Sequence, residues 1–557
     1  MSGRVPGPAR LPRREMLLAL LGTLVWLAWS AGLRALELPD EGRYVGVAWE
    51  AIRGGRWLEP LLNGQPFFHK PPLFYWITEI AMSLFGVNQL AGRAAPVLGG
   101  WLAAVSLYLL LYRWAGATIA RVALAVLLAL PMFFLGAQYA NLDMLVAGCI
   151  TATLALTVDA LLRRRVGLPW RATLLAAYAS AGVGILAKGL IGIVLPGLIV
   201  VVWLLALRRW RDILALLWLP GIAAMLAVAA PWYALMQQRH PEFLHFFFVV
   251  QHLQRFASTG FNNVQPFWFF PAVLLVFHLP ALPWLALGWG GARRRGARAR
   301  QLAGADIGDE YGDQGGIGVL TAGGPGASFA ARTEAPPEDS ADPHRLIPLL
   351  LSWLTVVVAF FSLPQSKLVG YILPAVPPIA ALTAIGWQRL LPTSRMVRRA
   401  AVATLLLSAL AGVAIVITLA VSPHRNTREL ARDLAAWRAD GEPIFSLGRY
   451  DYDLPFYARL REPMVVAEDW SDPEILTHDN WRKELAETRD FAPGGRAPLL
   501  IDEKTLPAAL CAHPVNWVIA ASRDAPATPW LKDLPSVSTR RGVSLWRITP
   551  VMVGCPR

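Results

Sequence analysis

Long apolar runs alternate with short polar breaks through most of the chain. A helix crossing the hydrocarbon core of a bilayer needs about 20 mostly apolar residues. Runs of that kind lie near 16–36, 94–113, 117–136, 143–162, 172–188, 189–207, 212–234, 268–290, 345–363, 369–388 and 401–421. About eleven spans follow, and up to thirteen if an apolar run folds back on itself. The pattern predicts a polytopic α-helical membrane protein, with residues 1–421 as its membrane domain. The first run is long for a secretory signal and reads as an uncleaved span.

Four segments break the pattern. Residues 37–93 and 236–267 are loops rich in charge and aromatic rings. Residues 422–557 carry short apolar runs between turns and a helical stretch near Asn426–Ala439, which predicts a small α/β domain. Residues 291–343 are Gly-rich, acidic and aperiodic, and predict a disordered linker. Their Gly-Gly-Pro-Gly is no phosphate loop, since no strand precedes it and no Gly-Lys-Ser/Thr follows.

Composition agrees. The 557 residues are 55% hydrophobic and only 16% charged, against about a quarter charged in soluble proteins. The net charge of +14 could suggest nucleic acid, but the basic residues sit in clusters beside apolar runs and not on one polar domain, which excludes that reading. The clusters instead write topology. Arg10, Arg13 and Arg14 precede the first span, and Arg163 to Arg165 follow the fourth. Arg208, Arg209 and Arg211 follow the sixth, Arg293 to Arg295 the eighth, and Arg395, Arg398 and Arg399 the tenth. All fall on one side if the spans alternate, and that side is cytoplasmic. The N-terminus and the 291–343 linker are then inside, and both charged loops and the C-terminal domain are outside. Cys149 lies in an apolar run, whereas Cys511 and Cys555 lie in the C-terminal region and are candidates for a disulfide in an oxidising compartment.

The outer face holds the chemistry. Asp40 and Glu41 follow the first span, with Arg43 and Tyr44 next. Carboxylates there can serve as general base or orienting acid, and Pro39-Asp40-Glu41 reads equally as a helix start. Asp143 opens the fourth span and carries the same two readings. Lys70 stands before two prolines, Lys188 interrupts an apolar stretch, Lys367 occupies a short outer turn with Tyr371 four residues on, and Arg255 lies in the second loop. Cations so near hydrocarbon are costly and call for a partner, for which a lipid phosphate suits Lys and Arg well. A snorkelling anchor explains any one of them, but not a group on the face where positive charge is normally scarce. His69 and His252 could ligate a divalent metal ion, with Glu41 as a third ligand.

These elements together resemble a known family. Asp-Glu after the first helix, Arg-Tyr just beyond, and Lys-Pro-Pro-x-x-Tyr-Trp before the second are similar to the C-type glycosyltransferases of the bacterial protein-mannosyltransferase-like group, the aminoarabinose transferases of lipid A modification among them. The Gln251–Phe256 segment, Ser366-Lys367-Leu368 with Tyr371 to Pro374, and Asp453 to Tyr457 share that resemblance. It implies the GT-C fold and a periplasmic active site. It also implies transfer of a sugar, 4-amino-4-deoxy-L-arabinose, from an undecaprenyl-phosphate donor to lipid A. Asp40 would be the principal catalytic carboxylate, assisted by Glu41 and Asp143. Lys70, Arg255, Lys367 and Arg43 would hold the donor phosphate, with Tyr44, Tyr371 and Lys188 against the substrate. One position departs: His69 stands where aminoarabinose transferases carry Glu. Transfer to protein or another envelope glycan is the alternative within the class. A lipid or solute transporter is the alternative outside it, although transporters gather charge at the midplane rather than at one face.

Overall fold

The computed structural model describes residues 12–254, 263–289, 346–390, 394–422, 426–489, 491, 498–524 and 528–555. The 291–343 segment, Arg255 and the side chain of His252 lie outside the described residues.

A helix forms at each expected run. In chain order these are α1 (Arg13–Ala28), then, past the first loop, α4 (Ala94–Trp114), α5 (Ala117–Ala129), α6 (Pro131–Ala137), α7 (Leu142–Arg165), α8 (Arg171–Lys188), α9 (Ile191–Ala206), α10 (Leu219–Arg239), α11 (Phe269–Phe277), α12 (Leu282–Trp289), α13 (Ile347–Ser362), a 3₁₀ turn at Val369–Ala375 running into α14 (Val376–Leu390), and α15 (Arg395–Val421). Among the described residues five helices are long and apolar enough to cross a membrane, or up to seven when two bent pairs each count once. The bends sit at prolines. Pro131 keeps Leu130 extended and turns α5 against α6 by 67°, and Leu279-Pro280 lies in the break that turns α11 against α12 by 94°. The run expected from 212 is broken into a short helix at Trp210–Ala215 and the long one from Leu219, where Pro220 suits a helix's first turn and not its interior. The first helix ends at Ala28, short of the expected residue 36.

The helix α7 is the hub, with 89% of its apolar window buried, against 22% for α15. Gly99 on α4 lets α7 come close, since a Cβ there would stand 2.5 Å from Leu145 Cα. By contrast α15 turns Leu406, Leu407 and Leu410 outward, as a lipid-facing helix must.

The first outer loop is itself helical. It forms α2 (Asp40–Gly54), a hairpin of β1 (Leu61–Leu62) and β2 (Gln65–Pro66), and α3 (Leu73–Phe85). Asn63-Gly64 makes the hairpin turn with φ of 51° and 76°, the left-handed pair that Asn-Gly favours. Glu50 fixes the turn by accepting from both backbone N–H groups, at 2.7 and 2.8 Å.

The C-terminal region contains α16 (Arg428–Trp437), β3 (Ile444–Leu447), β4 (Val465–Glu468), α17 (Trp481–Arg489), β5 (Leu500–Asp502), β6 (Asn516–Ala521), β7 (Ser538–Arg540) and β8 (Val543–Ile548). The strands form one six-stranded sheet in the order β5-β4-β3-β6-β8-β7, parallel from β5 to β6 and antiparallel beyond. This domain seats directly on the outer loop. Asn63 exchanges two hydrogen bonds with the Met464 backbone, at 2.8 and 2.9 Å. Trp49 and Arg53 both donate to the Leu460 carbonyl. Cys511 and Cys555 are joined in a disulfide, with Cα atoms 5.7 Å apart.

Candidate functional site

The site is built from helix ends on one face. Asp40 begins α2, Asp143 is in the first turn of α7, and Lys188 ends α8. Arg163 to Arg165 lie at the other end of α7, 24 residues long, which is about 36 Å away at ~1.5 Å per residue. The acids and the arginine cluster therefore sit on opposite sides of the helical layer.

Adjacent Asp40 and Glu41 have different fates. Glu41 is fully buried and pairs with Arg34 at 2.5 Å and Arg93 at 2.8 Å. Each of its oxygens accepts three hydrogen bonds. Oε1 takes Arg34, Arg93 and the Ala140 N–H; Oε2 takes Arg34, Arg93 and the Glu37 N–H. Burial raises the carboxyl pKa, but the two guanidinium groups and these hydrogen bonds outweigh it and bring the value down to about 2. Glu41 ties α2 to the segment before α7 and has no lone pair to offer a substrate or a metal. This corrects its expected catalytic and ligating roles.

Asp40 is partly open, its side chain 29% exposed, and pairs with Arg43 at 2.5 Å. Arg43 reaches Glu484 of α17 with its other nitrogen, and lies over the Tyr44 ring at 4.9 Å and the Tyr452 ring at 5.8 Å. Tyr452 donates to the second Glu484 oxygen at 2.6 Å. Arg43 is thus committed to two carboxylates and orients Asp40, so it is not a waiting phosphate ligand. Burial pushes the Tyr44 hydroxyl pKa further above its ordinary value, keeping it a neutral phenol. Its ring packs on Phe74 at 5.6 Å.

The second half of the site surrounds Asp143. One oxygen pairs with Lys188, and the other accepts from Asn141 at 3.0 Å. The Lys188 ammonium lies 4.4 Å from the centre of the Tyr371 ring. Gly370 packs against the Asp143 carboxylate with no room for a side chain. Lys188 is therefore a partner of Asp143 and Tyr371. Nearby, Lys367 is 4% exposed, and among the described residues its ammonium meets only the carbonyls of Gln265 at 2.7 Å and Gln365 at 3.5 Å. A buried cation among carbonyls leaves its charge for an anion to neutralise. Lys70 is half-buried beside His69.

His69 stacks on Phe67 at 4.4 Å and meets Glu487 of α17 through Nε2 at 2.6 Å. Its Nδ1 is buried and has no partner among the described residues. Among the described residues no three His, Cys, Asp or Glu side chains converge on one point. The expected metal pair includes His252, whose side chain lies outside the described residues.

Glu484, Tyr452, Glu487 and Gly370 were not singled out from the sequence. Glu484 is 441 residues from Arg43, and nothing local marks it.

Comparison with known proteins follows this geometry. Residues 69–234 match the family model described as dolichyl-phosphate-mannose-protein mannosyltransferase. The undecaprenyl phosphate-alpha-4-amino-4-deoxy-L-arabinose arabinosyl transferase 1 of Sodalis glossinidius is 32% identical over 372 residues, 66% of this chain and 58% of that protein. The corresponding transferase of an Enterobacter species is 28% identical over 69% of this chain and 61% of its own length. The chain thus matches less than two thirds of each relative. The crystal structure of ArnT from Cupriavidus metallidurans bound to undecaprenyl phosphate superposes with a TM-score of 0.75 at 22% identity, over 98% of this chain and all of that one. Its apo form gives 0.72. The chain is a multi-pass membrane protein of the GT-C fold, similar in sequence to the aminoarabinose transferases and in architecture to ArnT over nearly its whole length.

Proposed function

We propose that the protein is an integral-membrane glycosyltransferase that takes 4-amino-4-deoxy-L-arabinose from an undecaprenyl-phosphate donor and delivers it to lipid A. The observation carrying this reading is the pairing, at one face, of an open carboxylate with buried cations: Asp40 braced by Arg43 and Glu484, opposite Asp143–Lys188 and Lys367. Departure of a lipid phosphate builds negative charge, which fixed cations stabilise without reorganising. Lys367 and Lys70 suit that task, with Arg255 as a further candidate. Asp40 suits orienting the acceptor or steadying positive charge on the sugar. The names of the matched relatives and of the superposed ArnT structure support the donor, and lipid A as acceptor is part of this proposal.

The site faces the periplasm in this reading, with the N-terminus cytoplasmic. The Cys511–Cys555 disulfide supports it, because such bonds persist in oxidising compartments. A divalent ion remains assigned to His69 and His252, to be checked by metal analysis of the purified protein. The decisive experiment reconstitutes the protein with undecaprenyl-phosphate aminoarabinose and lipid A, and follows the mass of lipid A. Asp40→Asn abolishes the gain in mass. Transfer at the wild-type rate by that variant, or none by the wild type, refutes the reading. Modification of a protein acceptor under the same conditions would favour the alternative suggested by the mannosyltransferase match at 69–234.

A further inference from the structure

A second cationic feature lies away from the acids. A cavity of about 200 Å³ opens between the segment after α3 and the C-terminal domain, lined by Asn88, Gln89, Arg428, Arg432, Tyr457 and Arg459 among others. Arg428 and Arg432 are one turn apart on α16 and share a face. Among the described residues no carboxylate pairs with either, and Arg459 spends one nitrogen on the Val87 carbonyl at 2.8 Å.

Most of the domain's other arginines differ: Arg438, Arg449, Arg461, Arg482, Arg523, Arg540 and Arg541 have carboxylate partners, and only Arg489 and Arg547 share the lack of one among the described residues. The contrast holds within α16 itself. Its acids Glu429 and Asp433 turn to Arg541 and Arg540 of the β7–β8 hairpin. Its arginines turn to the cavity. Arg432 and Arg459 are exposed and Arg428 is half-buried, and the three line one hollow while the acids of α16 are spent on other arginines.

The lining residues also lie close in sequence to the ends of two apolar helices. Val87 to Gln89 come just before the spanning helix α4 begins at Ala94, and Arg428 comes seven residues after α15 ends at Val421. Three guanidinium groups suit a dianion better than a single charge, and phosphate takes paired N–H donors from arginine.

We propose that this cavity binds a lipid-borne phosphomonoester, at a point separate from the transfer site. Under the proposed function that group is a second phosphate of the acceptor glycolipid, held so that the first reaches Asp40; this last step rests on that function, whereas the binding does not.

The test uses the full chain in detergent and its Arg428→Gln/Arg432→Gln form, both read by native mass spectrometry. The probes are bis-phosphorylated lipid A, its fully dephosphorylated counterpart, and phosphatidylglycerol, a phosphodiester. The double variant is expected to lose about tenfold in affinity for bis-phosphorylated lipid A and nothing for the dephosphorylated lipid. In transfer assays the change falls on the acceptor KM and leaves the donor KM alone. Equal binding of bis-phosphorylated lipid A by both forms overturns the proposal, as does an equal loss for phosphatidylglycerol. A folded wild type that transfers no sugar yet shows the tenfold difference refutes the proposed function and upholds the cavity. Thermal unfolding of the variant guards against misfolding, and Arg459→Gln alone supplies a second, milder reading in the same direction.

Discussion

Asp40 and Glu41 are neighbours in sequence and opposites in consequence, which makes them the sharpest test of the structure. Glu41→Gln keeps the shape and removes the charge. The amide oxygen can still accept three donors, but the amide nitrogen now faces the other three. Two guanidinium groups, exposed by 7% and 0%, lose their counter-charge. Removing one member of a buried ion cluster costs about 3–5 kcal/mol. The depressed pKa gives an independent figure, since a fall from 4.5 to about 2 is worth about 3 kcal/mol at neutral pH. Two routes agree, so the variant should unfold at clearly lower temperature when followed by tryptophan fluorescence in detergent. Asp40→Asn breaks only a partly exposed pair, worth about 0–1 kcal/mol. Its melting curve should overlay the wild type while transfer disappears. The sign with pH also follows. A carboxyl depressed in the fold contributes its stability above its unfolded value of 4.5 and loses it as pH falls from there through about 2. A Glu41→Gln protein that melts like the wild type yet transfers nothing would refute this division and return Glu41 to catalysis.

Gly370→Ala drives a methyl group into the Asp143 carboxylate, whose Cγ would lie 2.9 Å away. Transfer should fall at least tenfold, about 1.4 kcal/mol in the barrier, with little change in melting temperature; unchanged kcat would remove Asp143 from the site. Asp453 is fully buried, and burial, with Asp451 adding to it, raises its pKa to about 7 against the hydrogen bonds from Thr427. A carboxyl raised in the fold costs stability as pH climbs from its unfolded value of 3.8 through 7. Asp453→Asn should therefore flatten the decline in melting temperature between pH 5 and 8, and an unchanged slope would refute the assignment. Opening the Cys511–Cys555 link, with a sequence separation of 44, should cost the C-terminal domain about 4 kcal/mol by loop entropy; peptide mapping under non-reducing conditions that finds both thiols free in purified protein would remove that expectation.

The helical layer was legible from the chain because its signal is local. A run of apolar residues near Leu142–Arg165 must form its own hydrogen bonds in lipid, whatever its neighbours do. Arginine clusters at helix ends likewise need no partner to be read. The loops were legible as chemistry but not as structure. Of the 37–93 loop only the helix start at Pro39-Asp40-Glu41 was read from the chain; the Asn63-Gly64 hairpin and α3 emerged with the structure.

What the sequence could not divide was labour among like residues. Asp40 and Glu41 look equivalent in the chain, and the difference arises only because Arg34 and Arg93, 7 and 52 residues away, close on one of them. Arg43 looks like a free cation until Glu484 arrives from a domain folded 441 residues later. Among the described residues His69 shows no hydrogen-bond partner in its own loop, and Glu487 meets it from the same helix, 418 residues on. Residue type and membrane placement are properties of the chain, so the sequence by itself determined the multi-pass fold, its gathering of charge at one face and the kind of chemistry found there. Pairing is a property of distance, and only the tertiary structure decided which charges are satisfied by the protein and which are left for a ligand.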